Sequence, residues 1–126
     1  MPISVEHVDF ISIPTRDRER ARRFYGDVLG LPIERETPVG VEVRAGQVTL
    51  GVWEPERIGR PFTPNPNAVA LRVGDVAAAR AAIEAEGVVF DGDTFDTGVC
   101  HMAFFADPDG NALMLHHRYA PPAPEI

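Results

Sequence analysis

The feature that most constrains this fold is an internal repeat in which a strand-like run ends at an aspartate. The first copy is residues 10–17 (FISIPTRD) and the second is residues 68–75 (AVALRVGD). Aspartate is a good helix N-cap, because its carboxylate accepts a backbone N–H that the helix leaves without a partner. Asp17 and Asp75 are therefore each predicted to open a helix. A repeat of whole strand–helix units predicts a fold of two similar modules.

Each aspartate is followed by apolar residues at the spacing of one amphipathic helix face. Gly30 and Gly87 then stand where a left-handed helix C-cap is expected. We predict two helices whose apolar side chains pack against a sheet and fill the core. These side chains are Ala21, Phe24, Tyr25, Val28 and Leu29 in the first half, and Val76, Ala79, Ala82 and Ile83 in the second.

Three strand-like runs follow each predicted helix. Tight turns separate them at Ala45-Gly46-Gln47 and at residues 107–111 (DPDGN), where glycine and asparagine tolerate positive φ. Each half therefore reads strand, helix, then three strands. The predicted strands are Leu31–Glu36, Val39–Ala45 and Val48–Trp53 in the first half, and Val88–Phe90, Val99–Ala106 and Ala112–His117 in the second.

The prolines predict how the modules are joined. Four prolines between residues 55 and 66 cannot belong to a central strand, so this stretch is predicted to be a linker. We predict one domain over residues 1–119, built from modules 5–54 and 67–118. Residues 120–126 contain three prolines and are predicted to be a flexible tail.

Composition excludes several classes of function. The net charge of −7 argues against a nucleic-acid partner, since phosphate binding needs a basic face. All 12 basic residues are arginine, which removes Schiff-base lysine chemistry. No apolar run approaches the roughly 20 residues that span a bilayer, and Met1–Asp9 does not read as a signal peptide, so no membrane partner is expected. The lone cysteine, Cys100, excludes an internal disulfide and favours the cytoplasm.

Two motifs resemble the vicinal oxygen chelate superfamily, which is the glyoxalase/bleomycin resistance protein/dioxygenase superfamily. Residues 24–31 (FYGDVLGL) resemble its first-helix signature, and residues 104–111 (FFADPDGN) resemble its second-half hairpin. The resemblance covers about Val5 to Tyr119. It implies an α+β fold of two βαβββ modules, whose curled mixed sheets form a cup, and it implies a homodimer. It does not fix the function, because one fold hosts many chemistries.

The resemblance also implies where a divalent metal would bind. Family metalloenzymes hold the ion with His or Glu side chains on the first and last strands of both modules, since such donors suit divalent metals. The first-strand positions fall on Phe10 and Ala68, and the last-strand positions on Met114 and, approximately, Gly51. None of these residues is a competent ligand. We therefore predict no metal and no cofactor.

The histidines and the cysteine leave alternatives open. His7 is predicted to point away from the cup, although a shift of one residue in the alignment would make His7 or His116 a ligand. His101 and His117 are predicted to be hydrogen-bonded histidines without a site role, and Cys100 a buried, inert thiol. A rebuilt metal site from Cys100, His101 and His116 remains an alternative.

Strand alternation predicts which side chains line the cup. The expected lining is apolar with a few polar groups, as in many small-molecule sites, and Arg72 would pair with an anionic or carbonyl group. The alternative is that the apolar members only fill a core. Glu42 lies on a predicted strand, but its face is undecided. The predicted ligand-binding residues are Phe10, Ser12, Thr49, Trp53, Arg72, Met102, Phe104, Met114 and His116.

Three functions fit these observations. The first is a metal-independent small-molecule binding protein of the bleomycin-resistance type, which recognises an apolar or aromatic ligand. The second is a glyoxalase- or dioxygenase-like enzyme, with lyase, isomerase or dioxygenase chemistry and an atypical or absent metal site. The third is an interaction module in which dimerisation fills the cup. The sequence leaves open whether any reaction is catalysed.

Overall fold

The computed structural model describes residues 1–122. The chain divides into two compact units, with the boundary between Asn65 and Pro66. Each unit contains a strand, a helix and then three strands, so the predicted βαβββ plan is present twice and the fold is α+β. Each sheet has four strands, one parallel pair and two antiparallel pairs.

The first unit has its strands in the spatial order β1-β4-β3-β2, with β1 parallel to β4. A short 3₁₀ helix, Pro55–Ile58, follows the last strand inside the predicted linker. The bounds are β1 Ile11–Pro14, α1 Arg18–Arg22, a π-helical turn Arg23–Val28, β2 Ile33–Thr37, β3 Gly40–Ala45 and β4 Val48–Trp53.

The second unit repeats this topology in the order β5-β8-β7-β6, with β5 parallel to β8. The hairpin between its last two strands is built by Asp107, whose Oδ1 accepts from the backbone N–H groups of Asp109 and Asn111, both at 2.9 Å. The predicted turn is therefore confirmed. The bounds are β5 Val69–Arg72, α2 Val76–Ala85, β6 Asp91–Asp96, β7 Cys100–Ala106 and β8 Ala112–Arg118.

Both helices begin as the sequence predicts. The Asp17 carboxylate accepts the N–H of Arg20 at 3.1 Å, and that of Asp75 accepts the N–H of Ala78 at 3.0 Å. The first helix then departs from α geometry, because the Leu29 N–H donates to the Phe24 carbonyl five residues back. This π-helical stretch was not predicted, since a spacing of three and four does not distinguish it from an α-helix.

The core lies on one face of each sheet. In the first unit, the buried strand residues alternate with residues of the opposite face, and the Phe24 and Tyr25 rings meet edge to face at 5.3 Å between centroids. Burial of a large apolar side chain contributes about 1.5–3 kcal/mol, so these residues dominate stability. The core residues include Ile13, Ala21, Phe24, Tyr25, Val41, Val43, Leu50 and Val52 in the first unit, and Val76, Ile83, Phe90, Ala103, Phe105, Leu113 and Leu115 in the second.

The strand predicted at Val88–Phe90 is wrong. The strand is Asp91–Asp96, and every one of its side chains is exposed, so it carries no alternating apolar signal. Phe90 belongs to the core without being part of a strand. Its side chain is buried, and the centroid of its ring lies 4.9 Å from that of Phe105. The edge strand is held by pairing with β7 and by Arg80, which donates to the Gly92 carbonyl at 2.8 Å.

The chain ends complete the description. Residues 1–10 form no regular structure and are exposed, so the first strand starts at Ile11. Of the predicted flexible tail, residues 123–126 lie outside the described residues, while the Ala120 N–H donates to the Val99 carbonyl at 3.2 Å. Within residues 1–122, no helix has the length and apolarity needed to cross a membrane.

Candidate functional site

The face of the first sheet that lies opposite the core carries the best-formed candidate site. Gly51 on β4 lies beside Ser12 on β1 and opposite Glu42 on β3. Ile13 and Leu50, the sequence neighbours of Ser12 and Gly51, are each 1% exposed and belong to the core. Because side chains alternate along a strand, Ser12, Gly51 and Glu42 lie on the other face. The sequence left open which face of the sheet Glu42 occupies, and the register places it on the face opposite the core.

A pocket of about 370 Å³ lies on this face, and we call it the aromatic pocket. Its volume falls within the range of small-molecule sites. Phe10 and Trp53 supply its aromatic surface. A Cβ built on Gly51 would lie 3.1 Å from Cδ2 of Phe10, so the Phe10 ring rests on this glycine. The lining residues are Phe10, Ser12, Thr37, Val39, Gly40, Val41, Glu42, Gly51, Val52 and Trp53.

Trp53 is held in place by a hydrogen bond, because its indole Nε1 donates to Ser12 Oγ. Buried or half-buried indole N–H groups generally need such a partner. Trp53 is also the only tryptophan of the chain. Tryptophan fluorescence therefore reports on the surroundings of this one side chain.

Glu42 supplies the carboxylate of the aromatic pocket. Its side chain is 35% exposed, and Arg35 Nε lies 3.9 Å from its Oε2. This pair is loose and partly screened by water, so the carboxylate retains capacity to accept hydrogen bonds.

A second pocket of about 300 Å³ also belongs to the first unit, and we call it the proline-walled pocket. It shares Ser12 and Trp53 with the aromatic pocket. Sequence reasoning treated most of these residues as linker and missed them. The available signal was the segment Pro55–Pro61, which contains two arginines and begins two residues after the only tryptophan. The lining residues are Ser12, Pro14, Trp53, Pro55, Arg60, Pro61 and Thr63.

Thr49, another predicted site residue of the first unit, has a different environment. Its hydroxyl donates to Glu34 Oε1 at 2.7 Å, and the same carboxylate accepts from Arg44 Nη2 at 2.8 Å. Thr49 does not line the aromatic pocket. Its hydrogen bond ties β4 to β2.

The second unit presents different side chains at the matching positions. Ala70 lies beside Met114, as Ser12 lies beside Gly51, and Phe104 lies opposite Met114. A methionine and a phenylalanine thus replace the glycine and the glutamate. A pocket of about 850 Å³ is present in this unit and is lined by Ala68, Phe104 and Met114 among others.

The remaining predicted residues of the second unit meet across its strands. His116 on β8 lies beside Arg72 on β5 and opposite Met102 on β7. His116 and Met102 are half-buried, and Arg72 is exposed. None of the three lines the pocket of this unit.

The positions implied for a family metal do not fit a divalent ion. The two registers make Gly51 and Met114 equivalent, as the sequence alignment predicted. Neither these residues nor Phe10 and Ala68 carry a nitrogen or oxygen donor in the side chain. Within residues 1–122, no group of three or more His, Cys, Asp or Glu side chains is arranged to hold a metal ion.

The other three histidines each have a hydrogen-bond or ion-pair partner. His7 Nε2 lies 2.8 Å from Asp9 Oδ1 in an exposed pair, and His117 Nδ1 donates to the Val73 carbonyl at 2.9 Å. The His101 imidazole lies 3.3 Å from the Asp96 carboxylate. Cys100 is buried and free. The non-site interpretation of His7, His101, His117 and Cys100 stays a prediction.

Asp96 is the centre of an exposed polar cluster on the second unit. Its Oδ1 accepts from the Gly98 N–H and from the Tyr119 hydroxyl, both at 2.8 Å. The Gly98 N–H, followed by the Tyr119 hydroxyl and His101, lowers the pKa of the Asp96 carboxyl. The hydrogen bond to Asp96 raises the pKa of Tyr119. The end of β6, the start of β7 and the residue after β8 meet here, so the cluster has a structural role.

Solved structures resemble the chain over nearly its whole length. TnmS3, an antibiotic binding protein from Streptomyces sp. CB03234, is 27% identical with a TM-score of 0.76, covering 93% of this chain and 99% of that one. A glyoxalase/bleomycin resistance protein from the same organism is also 27% identical, with a TM-score of 0.70 over 86% and 97% of the two chains. A lactoylglutathione lyase from Agrobacterium tumefaciens shares the fold at 18% identity and a TM-score of 0.74, over 90% and 94%.

No curated protein matches the sequence significantly. The sequence profile of the Glyoxalase/Bleomycin resistance protein/Dioxygenase superfamily matches residues 6–115. That span includes both strand–helix repeats and the first four residues of the last strand. The chain belongs to the Glyoxalase/Bleomycin resistance protein/Dioxygenase superfamily.

Proposed function

We propose that this protein binds a small apolar or aromatic molecule of the antibiotic type and does so without a metal ion. The observation that carries the proposal is the aromatic pocket, where Phe10 and Trp53 stand beside two glycines, Gly40 and Gly51. Aromatic walls and a floor without side chains suit a flat ring system. The resemblance to TnmS3, an antibiotic binding protein, supports the same ligand class.

The metal-independent part of the proposal rests on donor chemistry. The family positions hold Phe10, Gly51, Ala68 and Met114, which give a divalent ion no hard donor. Binding would therefore depend on apolar contact and on hydrogen bonds. The other residues predicted from the sequence, Thr49 on the first unit and Arg72, Met102, Phe104 and His116 on the second, remain separate proposals for ligand contacts on their own units.

The test is titration of the protein with bleomycin and with daunorubicin as a planar aromatic probe. Binding in the aromatic pocket should change Trp53 fluorescence and raise the unfolding midpoint. At a ligand concentration 100 times the Kd, the stabilisation would be about 2.7 kcal/mol. Phe10→Arg and Trp53→Ala should remove the midpoint shift, because the first introduces a charge and the second removes the aromatic surface.

A surface substitution outside the pockets provides the matched control. Arg23 is exposed on the π-helical turn, and Arg23→Met should bind both probes as the wild type does. If the probes bind Phe10→Arg and Trp53→Ala as tightly as the wild type, the aromatic pocket is not the site. If a panel of aromatic antibiotics leaves the midpoint and the fluorescence unchanged, the proposed ligand class is wrong.

Glu42 favours a second candidate, a glyoxalase- or dioxygenase-like enzyme with an atypical site. A carboxylate beside a bound ring would act as a general base if its geometry met an acidic proton. The Glu42→Gln variant distinguishes the two functions. Under the binding proposal it changes affinity only, whereas an enzyme would lose turnover of its substrate.

We further propose that the protein acts as a homodimer in the cytoplasm. Ile3, Val5 and Val8 are 85%, 72% and 69% exposed, and clustered exposed apolar residues mark interaction surfaces. The free thiol of Cys100 suits a reducing compartment. Light scattering should give twice the mass of one chain, and a monomer at micromolar concentration would contradict the dimer.

A further inference from the structure

The two pockets of the first unit adjoin each other through Ser12 and Trp53, which line both. The hydrogen bond from the indole to Ser12 Oγ fixes this shared boundary. A ligand that occupies the aromatic pocket therefore lies next to the proline-walled pocket. A substituent on its ring that extends past Ser12 and Trp53 would enter the second space.

Arg60 gives the proline-walled pocket a positive charge. Among the ion pairs of residues 1–122, none involves Arg60, which lines this pocket with a cationic guanidinium. Most other arginines of this unit are already paired, in a chain whose net charge is −7. The paired ones are Arg16 with Glu56, Arg18 with Glu19, Arg22 with Glu36, Arg35 with Glu42, Arg44 with Glu34 and Arg57 with Glu54.

The backbone around Arg60 is fixed in advance. Pro55 opens the 3₁₀ helix, and Gly59 ends it in the left-handed conformation at φ 75°. The Arg60 N–H then donates to the Pro55 carbonyl at 3.0 Å. Pro61 follows directly and restricts the chain further, since its ring fixes φ. A cation on a pre-ordered segment binds an anion at a lower entropic cost than one on a free loop.

We propose that Arg60 and the proline-walled pocket bind the carboxylate of a ligand whose aromatic body occupies the aromatic pocket. The inference rests on the proposed function and narrows its ligand class to aromatic carboxylates. A guanidinium matches a carboxylate with two parallel N–H···O hydrogen bonds. The hydroxyl of Thr63, in the same pocket, is a further donor.

The experiment compares carboxylates with their primary amides by isothermal titration calorimetry at low salt. The probes are 1-naphthylacetate, 3-(1-naphthyl)propanoate and 4-(1-naphthyl)butanoate, which vary the reach from the ring. At least one acid should bind about two- to fivefold more tightly than its amide, as expected for an exposed charge pair. Arg60→Met and Arg60→Gln should abolish this preference, so that each acid binds no more tightly than its amide.

Arg23→Met removes the same charge from a site outside the pockets, so it should keep the preference for the acid. Equal binding of each acid and its amide by the wild type would overturn the inference, and so would a preference that survives in both Arg60 variants. In those cases, amide binding that is lost in Trp53→Ala would still support the proposed function. If neither acids nor amides bind the wild type, both the proposed function for this ligand class and the inference fail.

Discussion

Two glycines on neighbouring strands of the first sheet have different roles. A Cβ on Gly40 would lie 2.8 Å from Cβ and 2.9 Å from Cα of Trp53, and it would also meet the Val52 carbonyl oxygen. The three atoms nearest to a Cβ on Gly51 all belong to the Phe10 ring, and this residue is 54% exposed and free to shift. The fold therefore requires Gly40, whereas Gly51 shapes the pocket.

We predict that Gly40→Ala destabilises the protein by about 3 kcal/mol, because backbone atoms cannot move aside. Gly51→Ala should cost less than about 1 kcal/mol, yet it should weaken binding of aromatic probes by displacing Phe10. Urea unfolding measures the first effect and Trp53 fluorescence titration the second. Equal destabilisation by the two substitutions would contradict this assignment.

The Asp96 cluster makes a residue-scale prediction about pH. The pKa of Asp96 is lowered on folding, so its contribution to stability is present above the ordinary aspartate pKa and is lost as pH falls through the lowered value. The pKa of Tyr119 is raised, so its contribution is present below the ordinary tyrosine pKa and is lost as pH rises through the raised value.

In Tyr119→Phe, the pKa of Asp96 should rise but stay below its ordinary value, because the Gly98 N–H is the larger cause of the shift. Carbon-13 NMR titration of the carboxyl groups measures this directly. Thr97→Ser, a neighbouring conservative change, should leave the Asp96 titration as it is. An unchanged Asp96 pKa in Tyr119→Phe would exclude the hydroxyl as a partner.

At the scale of elements, helix starts were predictable and one strand was not. Asp17 and Asp75 cap their helices because the cap depends on a side chain and on backbone atoms three residues away. Such local interactions can be read from sequence. Strand β6 was misplaced because it is stabilised by backbone pairing with β7, which carries no side-chain periodicity. The π-helical turn was not predicted, because the spacing of its apolar residues is equally compatible with an α-helix.

We predict that Asp75→Ala costs about 1 kcal/mol of stability, because the Ala78 N–H loses its acceptor. Asp75→Asn keeps an oxygen acceptor and should cost less than half of that. Urea unfolding of the full chain gives both values. Equal losses for the alanine and asparagine variants would mean that the charge of Asp75, rather than its hydrogen bond, stabilises the helix.

At the scale of the whole molecule, the two units share a topology and differ in the side chains that they present. The positions of Gly51 and Glu42 in the first unit are those of Met114 and Phe104 in the second. The two units therefore share a backbone topology but present different side chains on the sheet face opposite the core. The core residues of both units are apolar, whereas the opposite faces differ in size and charge, so the faces rather than the cores differentiate the units.

We predict that the purified protein needs no metal for stability. Elemental analysis of protein prepared without chelator should find substoichiometric Zn, Fe, Ni and Mn, and EDTA should leave the unfolding midpoint unchanged. The physical reason is the lack of hard donors at Phe10, Gly51, Ala68 and Met114. One tightly bound metal ion per chain, or a midpoint lowered by EDTA, would refute metal independence and revive the enzyme alternative.

The sequence by itself determined the repeat, the caps, the core faces and the family, because these depend on spacing and on local hydrogen bonds. It also predicted Phe10, Ser12 and Trp53, since strand parity places alternate residues on one face. Only the tertiary structure decided that Glu42 lies opposite Gly51 and that Ser12 and Trp53 adjoin Arg60. Those contacts depend on strand register and on the path of a proline-rich segment, and no local pattern in the chain encodes either.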